Sequence, residues 1–161
     1  MYTPGLVSVV IPTYKRSDTL ERAINSVHNQ TYRDIEILVV DDNVPGDVYS
    51  QSVKQLIDSL AYDNVTLVTQ PRHINGAAAR NAGIRKSKGE YISFLDDDDL
   101  IFPDKIEKQV AALKEMDKTV GGVSSLKIFF KGHELTHISD TCPSKPRFKR
   151  MIYPKRITST S

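Results

Sequence analysis

Short apolar runs alternate with amphipathic stretches along the first two thirds of the chain. Four runs have the length and composition of buried strands: 7–11, 35–40, 65–69 and 91–95. Between them, apolar residues recur at helical spacing, as in Leu20, Ala23, Ile24 and Val27. Strands that alternate with helices are typical of βαβ units. The pattern therefore predicts an α/β fold with a mostly parallel sheet flanked by helices.

Local signals set the expected ends of these elements. Pro12 is expected to stop the first strand, and Asp18 with Glu21 three residues later resembles a capping box for the first helix. The small-residue segment 76–84 predicts a helix that packs very close to the sheet. Two further helices are predicted from apolar stripes: Val53, Leu56, Ile57 and Leu60, and then Ile106, Val110 and Leu113 within 103–117.

The pattern changes after residue 117. Residues 120–130 and 134–138, around a turn at 131–133, predict antiparallel strands near the C-terminus in place of another βα unit. Proline, serine and lysine punctuate the chain from Thr141 onward, and no element is predicted there. We therefore divide the chain into a folded domain over 1–140 and a basic segment over 141–161 that is truncated or disordered.

Composition and charge narrow the class of protein. A chain of 161 residues that is 39% hydrophobic suits one globular domain. Its net charge of +2 hides a basic end, because residues 141–161 contain six lysines and arginines and no acidic residue. That segment suits a solvated connection, and the alternative is contact with phosphates or with the inner surface of an anionic membrane. Nucleic acid is not expected, because the remainder is acidic and carries no recognition motif.

Other signals point to a cytoplasmic protein. No apolar stretch approaches the roughly 20 residues that cross a bilayer, and the N-terminus does not resemble a signal peptide. The single cysteine, Cys142, supports neither an internal disulfide nor a zinc site.

Four consecutive aspartates, Asp96 to Asp99, follow the strand predicted at 91–95. Such charges repel one another unless a cation joins them, and Mg²⁺ uses one or two carboxylates together with substrate phosphates. The cluster therefore points to a phosphorylated substrate at the carboxyl ends of the strands. The alternative is a solvated turn in which Asp99 or Asp104 caps a helix that begins at Pro103.

The junction after the first strand lacks the glycine-rich loops of dinucleotide enzymes and P-loop NTPases. Instead, residues 12–16 offer a tyrosine ring for stacking, a threonine hydroxyl and two cations, which suit a base and its ribose. Asp41 and Asp42 end the second strand. A carboxylate there can accept hydrogen bonds from the imide N–H of a base or from ribose hydroxyls. The alternative is that either aspartate is a turn residue. Arg80 is a candidate to bind a phosphate. The alternative is that it forms a surface ion pair with one of the aspartates.

Four blocks occur in order: 9–14, 39–42, 76–84 and 94–99. Together they resemble the successive blocks of family 2 inverting glycosyltransferases, over residues 7–117 well and over 118–161 more weakly. The resemblance implies the Rossmann-like A-type glycosyltransferase fold. It also implies a nucleotide-sugar donor, a UDP-sugar first of all, bound with Mg²⁺ or Mn²⁺.

The resemblance also assigns roles residue by residue. Pro12, Thr13 and Tyr14 match positions that line the base and ribose, and Asp41 matches the carboxylate that recognises the base. Arg80 matches the arginine near the nucleotide. Within the D-x-D motif, Asp96 and Asp97 are expected near the ribose and donor sugar, and Asp98 is the expected metal ligand.

In the family, a carboxylate well downstream of the D-x-D motif is the general base that activates the acceptor hydroxyl. After Asp117 the chain offers only Glu134 and Asp140, neither in a segment that resembles the base-bearing block. We therefore expect the donor-binding portion of a longer enzyme, or a truncated product, without the catalytic base. The expected acceptor is a carbohydrate or glycolipid, in polysaccharide biosynthesis at the cytoplasmic membrane face. A non-catalytic nucleotide-binding module and a sugar-phosphate nucleotidyltransferase are the alternatives.

Overall fold

A computed structural model of the protein describes residues 2–116 and 123, and the course of the backbone at 127–131, 134–139 and 153–154. The elements, in chain order, are β1 (Thr3–Thr13), α1 (Leu20–His28), β2 (Ile35–Asp41), α2 (Val48–Leu60), β3 (Val65–Thr69), α3 (Gly76–Lys86), β4 (Gly89–Phe94), α4 (Lys105–Glu115), β5 (Lys127–Lys131), β6 (Glu134–Ser139) and β7 (Tyr153–Pro154).

The main sheet has the strand order β3-β2-β1-β4-β7. Strands β1 to β4 are parallel, and β7 pairs antiparallel with β4. A separate antiparallel hairpin is formed by β5 and β6. The α/β fold, the mostly parallel sheet and the antiparallel extension are therefore confirmed.

The sheet is covered on both faces, as parallel sheets require. Side chains of α1, α2 and α4 pack on one face, against alternate β1 residues such as Val7 and Val9. Among the described residues, α3 is the one helix that contributes to the cluster on the other face, where Val10 of β1 meets Ala79 and Ala82. This division explains why β1 and β2 read as continuous apolar runs: both of their faces are buried.

Helix α3 approaches the sheet closely, as its composition predicts. Gly83 is buried, and a Cβ atom built there would lie 2.9 Å from Val10 Cγ2 and closer still to Cγ1. No side chain fits at this position without a shift of the helix. Close packing of α3 fixes how its first turn meets the carboxyl ends of the strands.

Two predictions about the start of the chain are wrong. Strand β1 continues through Pro12, which pairs in register with Val40 of β2, while its pairing with β4 ends at Val10. Pro12 therefore has a strand neighbour on one side only, a position in which its missing N–H breaks no ladder. The expected capping box is also absent, because α1 begins after Thr19 and has no side-chain cap hydrogen bond.

The later elements differ in smaller ways. Helix α4 begins at Lys105, two residues after Pro103, and Asp104 makes an ion pair with Lys108 instead of a side-chain cap. Strand β7 was not predicted, since two residues carry no periodicity. The predicted domain boundary at residue 140 lies outside the described residues, as do Cys142 and positions 120–122 and 124–126 of the strand predicted over 120–130. Within the described part of the chain, no helix has the length and apolarity to span a membrane.

Candidate functional site

The carboxyl ends of β1, β2 and β4 and the first turn of α3 surround an open cleft of ≈ 400 Å³, here called the carboxyl-end cleft. Its lining consists of Pro12, Thr13, Tyr14, Arg16, Asp42, His73, Gly76, Ala79, Arg80, Asp96, Asp97 and Asp98. Open α/β sheets bind ligands at this edge, where the loops diverge. Seven of the eight predicted site residues, all except Asp41, line the cleft together.

Cations from two other elements offset the aspartate cluster. Arg80 of α3 donates to Asp96, and Arg16 of the β1–α1 loop donates to Asp98. The side chains of Arg16 and Asp98 are 53% and 48% exposed, so this pair faces solvent and is worth little to stability. The repulsion expected from the sequence is thus balanced within the chain itself, by groups that a ligand can reach.

Asp97 lies deeper than its neighbours and is 7% exposed. The Thr13 hydroxyl donates to its Oδ2 at 2.8 Å, and the Arg16 guanidinium lies 3.7 Å from its Oδ1. Burial raises the pKa of the Asp97 carboxyl, although the Thr13 hydrogen bond and the Arg16 charge partly oppose the rise. This aspartate therefore joins β1 to the end of β4 and shapes the floor of the cleft.

The β1–α1 loop is held in a strained conformation. Lys15 has φ of 55°, in the left-handed region that non-glycine residues rarely adopt. Its backbone N–H donates to Asn43 Oδ1 at 2.8 Å, so the end of β2 holds the turn in place. Strained turns cluster at ligand sites, and this one presents the Tyr14 ring, 38% exposed, to the cleft.

The two aspartates at the end of β2 point to different places. Asp41 is fully buried and accepts hydrogen bonds from the Asn43 side chain at 2.7 Å and from the Ser50 hydroxyl at 2.6 Å. It does not line the cleft, whereas Asp42 does. The role of Asp41 in base recognition stays a prediction, and the carboxylate of this pair that lines the cleft is Asp42.

His73, in the loop between β3 and α3, received no role from the sequence. Its ring stacks on Tyr14 with the centroids 3.9 Å apart and the planes inclined by 19°. Its Nδ1 lies 2.9 Å from Asp42 Oδ2. No periodic pattern covers this loop. The one signal in the sequence was a histidine, a ring that can stack and donate a hydrogen bond, seven residues before Arg80.

The donor set at the cleft is hard oxygen, which suits Mg²⁺ or Mn²⁺. Among the described residues, no group of three or more Asp, Glu, His or Cys side chains converges on one point. A cation bound mainly through substrate phosphates needs only one or two carboxylates, and the half-exposed Asp98 carboxylate meets that requirement. The residues present therefore fit a metal that arrives with a phosphorylated ligand.

This mostly parallel sheet, flanked by helices and with a charged cleft at its carboxyl end, is a Rossmann-like arrangement. Residues 8–160 match the family described as "Glycosyl transferase family 2". The chain therefore belongs to that family.

Curated relatives carry glycosyltransferase names. An uncharacterized glycosyltransferase of Rickettsia felis is 33% identical over 174 aligned residues, which cover 95% of this chain and 28% of the relative. The GalNAc(5)-diNAcBac-PP-undecaprenol beta-1,3-glucosyltransferase of Campylobacter jejuni is 37% identical over 58% of this chain and 29% of its own length. The chain thus spans under a third of the length of either relative.

Solved structures agree with the fold. The mannosyltransferase PcManGT of Pyrobaculum calidifontis, in complex with GDP-Man and Mn²⁺, superposes with a TM-score of 0.65 and 28% identity over 75% of this chain and 35% of that chain. Staphylococcus aureus TarS 1-349, in complex with UDP-GlcNAc, superposes with a TM-score of 0.59 and 25% identity over 68% and 31%. Both are nucleotide-sugar complexes, with different bases.

Proposed function

We propose that this protein binds a nucleotide-sugar donor in the carboxyl-end cleft and serves the transfer of its sugar, with inversion, to an acceptor hydroxyl. The observation that carries the proposal is the division of the cleft into two ends. One end offers an aromatic ring and a carboxylate, and the other offers two arginines beside three aspartates. A nucleotide sugar has the same division, with a flat hydrogen-bonding base at one end and a dianionic pyrophosphate at the other.

The base is expected at the end formed by Tyr14 and Asp42. A carboxylate only accepts hydrogen bonds, so it favours bases with a ring N–H, namely uracil and guanine. The UDP and GDP sugars held by the two solved relatives have such bases. We place UDP first among the candidate donors.

The pyrophosphate is expected between Arg80 and Arg16. The first turn of α3 lines the same region through Gly76 and Ala79, and the positive end of its helix dipole favours an anion there. Thr13 and Asp97 lie between the two ends, where hydroxyl and carboxylate groups suit the ribose. Each arginine would exchange an aspartate for a phosphate oxygen when the donor binds.

A divalent cation is proposed at Asp98, on the fit described above. When bound, it would neutralise the charge that develops on the departing nucleoside diphosphate and orient that leaving group. The chain's own contribution is to hold Asp98 just after the carboxyl end of β4. Arg16 would serve as the counter-ion of Asp98 in the absence of the metal. The Mn²⁺ of the Pyrobaculum complex supports this choice of cation.

The acceptor and the location are proposed from the relatives. The Campylobacter relative is named for an undecaprenol-linked acceptor. A carbohydrate or glycolipid acceptor at the cytoplasmic face of a membrane therefore suits this protein, with polysaccharide biosynthesis as the setting. The basic residues of 141–161 would supply peripheral contact with that surface.

We further propose that these 161 residues bind the donor without supplying the general base. Every acidic side chain in the cleft already has a hydrogen-bond or ion-pair partner, so none is poised to take a proton from an acceptor. This observation also favours the alternative function, a nucleotide-binding module without catalysis. Donor hydrolysis distinguishes the two, because a catalytic donor site releases sugar slowly to water and a module does not. Efficient transfer by this chain to a sugar acceptor would contradict the absence of the base.

The test of donor binding is a panel of UDP, GDP, CDP and ADP, each measured by thermal unfolding with and without Mn²⁺. A ligand that binds only the native state raises the melting temperature by mass action, about 2.7 kcal/mol of stabilisation at 100 times its dissociation constant. We expect Mn²⁺-dependent stabilisation, largest with UDP or GDP. No stabilisation by any of the four would refute the proposed function.

A further inference from the structure

The ring of His73 makes the two contacts that a donor base would make. It stacks face to face on Tyr14, and its Nδ1 lies at hydrogen-bond distance from the cleft-facing carboxylate of Asp42. A uracil ring would stack on the same tyrosine and donate its ring N–H to the same oxygen. The imidazole is thus a flat, hydrogen-bond-donating ring in the position that the proposed function gives to the base.

Asp42 is not accessible to a base while the loop stays in place. Its Oδ2 lies 2.9 Å from His73 Nδ1, and its Oδ1 accepts from the Ile74 backbone N–H at 3.2 Å. The Asp42 side chain is only 3% exposed, so a further donor has no route to it. Both oxygens are occupied by two consecutive residues of one loop.

That loop can move away from Asp42 with little loss of stability elsewhere in the fold. Residues 71–77 are all exposed, and three polar contacts join the loop to Asp42: two from His73 Nδ1, to Oδ2 and to the carbonyl oxygen, and one from the Ile74 N–H to Oδ1. Its ends are fixed independently: the Gln70 N–H donates to Asp41 O at 2.9 Å, and Asn75 caps α3 through Ala78 N at 2.9 Å. Movement of residues 71–74 therefore disturbs neither β3 nor α3.

We propose that His73 occupies the base subsite of the nucleotide-free protein and is displaced when the donor base binds. The inference rests on the proposed function, since it takes the donor as the displacing ligand. The loop between β3 and α3 then acts as an internal competitor. The apparent dissociation constant of the donor then equals the intrinsic constant divided by the fraction of molecules in which the subsite is free of the imidazole.

The affinity test uses His73→Ala, with His28→Ala as the matched control. His28 also stacks on a tyrosine, Tyr62, with centroids 3.7 Å apart, but it lies at the C-terminus of α1, outside the cleft. Removal of the competitor should lower the dissociation constant of Mn²⁺–UDP by about tenfold, which corresponds to about 1.4 kcal/mol. His28→Ala should leave it unchanged. Weaker or equal UDP binding by His73→Ala would overturn the inference, because His73 would then be a contact of the bound base or a bystander.

A base-free probe shows whether the effect belongs to the base. Inorganic pyrophosphate with Mn²⁺ should bind the native protein and His73→Ala equally, because it has no base to occupy the position beside Tyr14. An equal gain for pyrophosphate and UDP would refute displacement by the base. If neither protein binds any nucleoside diphosphate while both remain folded, the proposed function itself fails and the inference fails with it.

Nuclear magnetic resonance supplies a direct readout. In the nucleotide-free protein, the ring current of Tyr14 should shift the imidazole protons of His73 upfield, and the His73→Ala spectrum assigns them. Saturation with Mg²⁺ and UDP should return these resonances toward the position of a solvated histidine, while those of His28 stay shifted. A His73 signal that keeps its shift in the UDP complex would overturn the inference.

Discussion

The two ends of the parallel sheet each carry an open depression of similar size. The carboxyl-end cleft has a volume of ≈ 400 Å³, and a second one of ≈ 380 Å³, here called the amino-end hollow, lies at the other edge. The hollow is lined by Val27, His28, Tyr32, Arg33, Ile35, Ala61, Tyr62, Asp63 and Asn64. Each depression contains a histidine stacked on a tyrosine. Size and aromatic content therefore do not distinguish a site from a surface irregularity.

Charge distinguishes them. In the hollow, His28 and Tyr62 meet the neutral amides of Asn64 and Asn25, at 3.4 and 2.9 Å. Within the described chain, neither Arg33 nor Asp63 forms an ion pair there. The cleft instead holds ion pairs of Arg16 with Asp97 and Asp98 and of Arg80 with Asp96, and the His73 ring contacts the Asp42 carboxylate.

These pairs indicate why the cleft, and not the hollow, suits a ligand. Their side chains come from different elements and all of them line the cleft, so a substrate with both anionic and hydrogen-bonding groups can replace one member of each pair. A phosphate replaces a carboxylate beside an arginine, and a base replaces the imidazole beside Asp42. The hollow offers no such exchange, because its described hydrogen bonds involve no carboxylate, arginine or lysine side chain.

The largest difference between the two depressions should follow from Asp98→Ala. Loss of the proposed metal ligand should weaken Mn²⁺-dependent UDP binding by at least about 100-fold, since even loss of groups that only support a ligand costs 10–100-fold. Isothermal titration with and without Mn²⁺ measures the effect. Asp63→Ala removes an aspartate from the hollow and should change nothing. An unaltered metal response in Asp98→Ala would remove Asp98 from its role.

The second effect concerns the helix that carries Arg80 to the cleft. Gly83→Ala places a methyl group against the Val10 side chain, so the helix or that side chain must shift. We expect a loss of about 2 kcal/mol in the free energy of unfolding, as in other overpacked cores, despite the better helix propensity of alanine. Urea denaturation measures it.

The control for Gly83→Ala is Asn81→Ala, on the exposed side of the same helix. It gains helix propensity without a contact to the sheet and should be neutral or slightly stabilising. If Gly83→Ala were equally well tolerated, the close approach of α3 would not determine the position of Arg80.

The fold and most of the cleft could be predicted from the sequence because they depend on local pattern. Apolar runs buried on both faces identify β1 and β2, and alanine and glycine identify α3 as a closely packed helix. Polar residues at the carboxyl ends of such strands meet at one edge by geometry alone. The aspartates and Arg80 were found by this logic.

What could not be predicted depends on the direction of individual side chains. Asp41 and Asp42 are adjacent and chemically identical, yet one is fully buried against Asn43 and Ser50 and the other faces the cleft. His73 meets Tyr14 across 59 positions of sequence through an irregular loop. Neither fact follows from periodicity, because both are set by backbone turns after the strands end.

A smaller effect is expected from Arg80→Ala. The guanidinium is 31% exposed in its pair with Asp96, so its loss costs little stability. It should weaken UDP binding by about tenfold, the equivalent of one charge-assisted hydrogen bond to a phosphate. Arg33→Ala, in the hollow, should bind UDP as the native protein does. Equal effects of the two substitutions would mean that net charge, and not the position of Arg80, governs binding.

The smallest effect concerns the buried aspartate of the cleft and an exposed one outside both depressions. Because burial raises the pKa of Asp97, the native state binds more protons than the unfolded state between the two pKa values, and stability falls as pH rises through that window. Asp97→Asn should therefore be more stable than the native protein at neutral pH, with a difference that shrinks in acid. For Asp104, the Lys108 ammonium lowers the pKa, so Asp104→Asn should be slightly less stable at neutral pH, and that deficit should also shrink in acid. Thermal unfolding from pH 3 to 8 without ligand compares the two variants. If Asp97→Asn were less stable than the native protein at neutral pH, the prediction would be wrong. The contacts of the ionised carboxylate with Thr13 and Arg16 would then stabilise the native state by more than its burial costs.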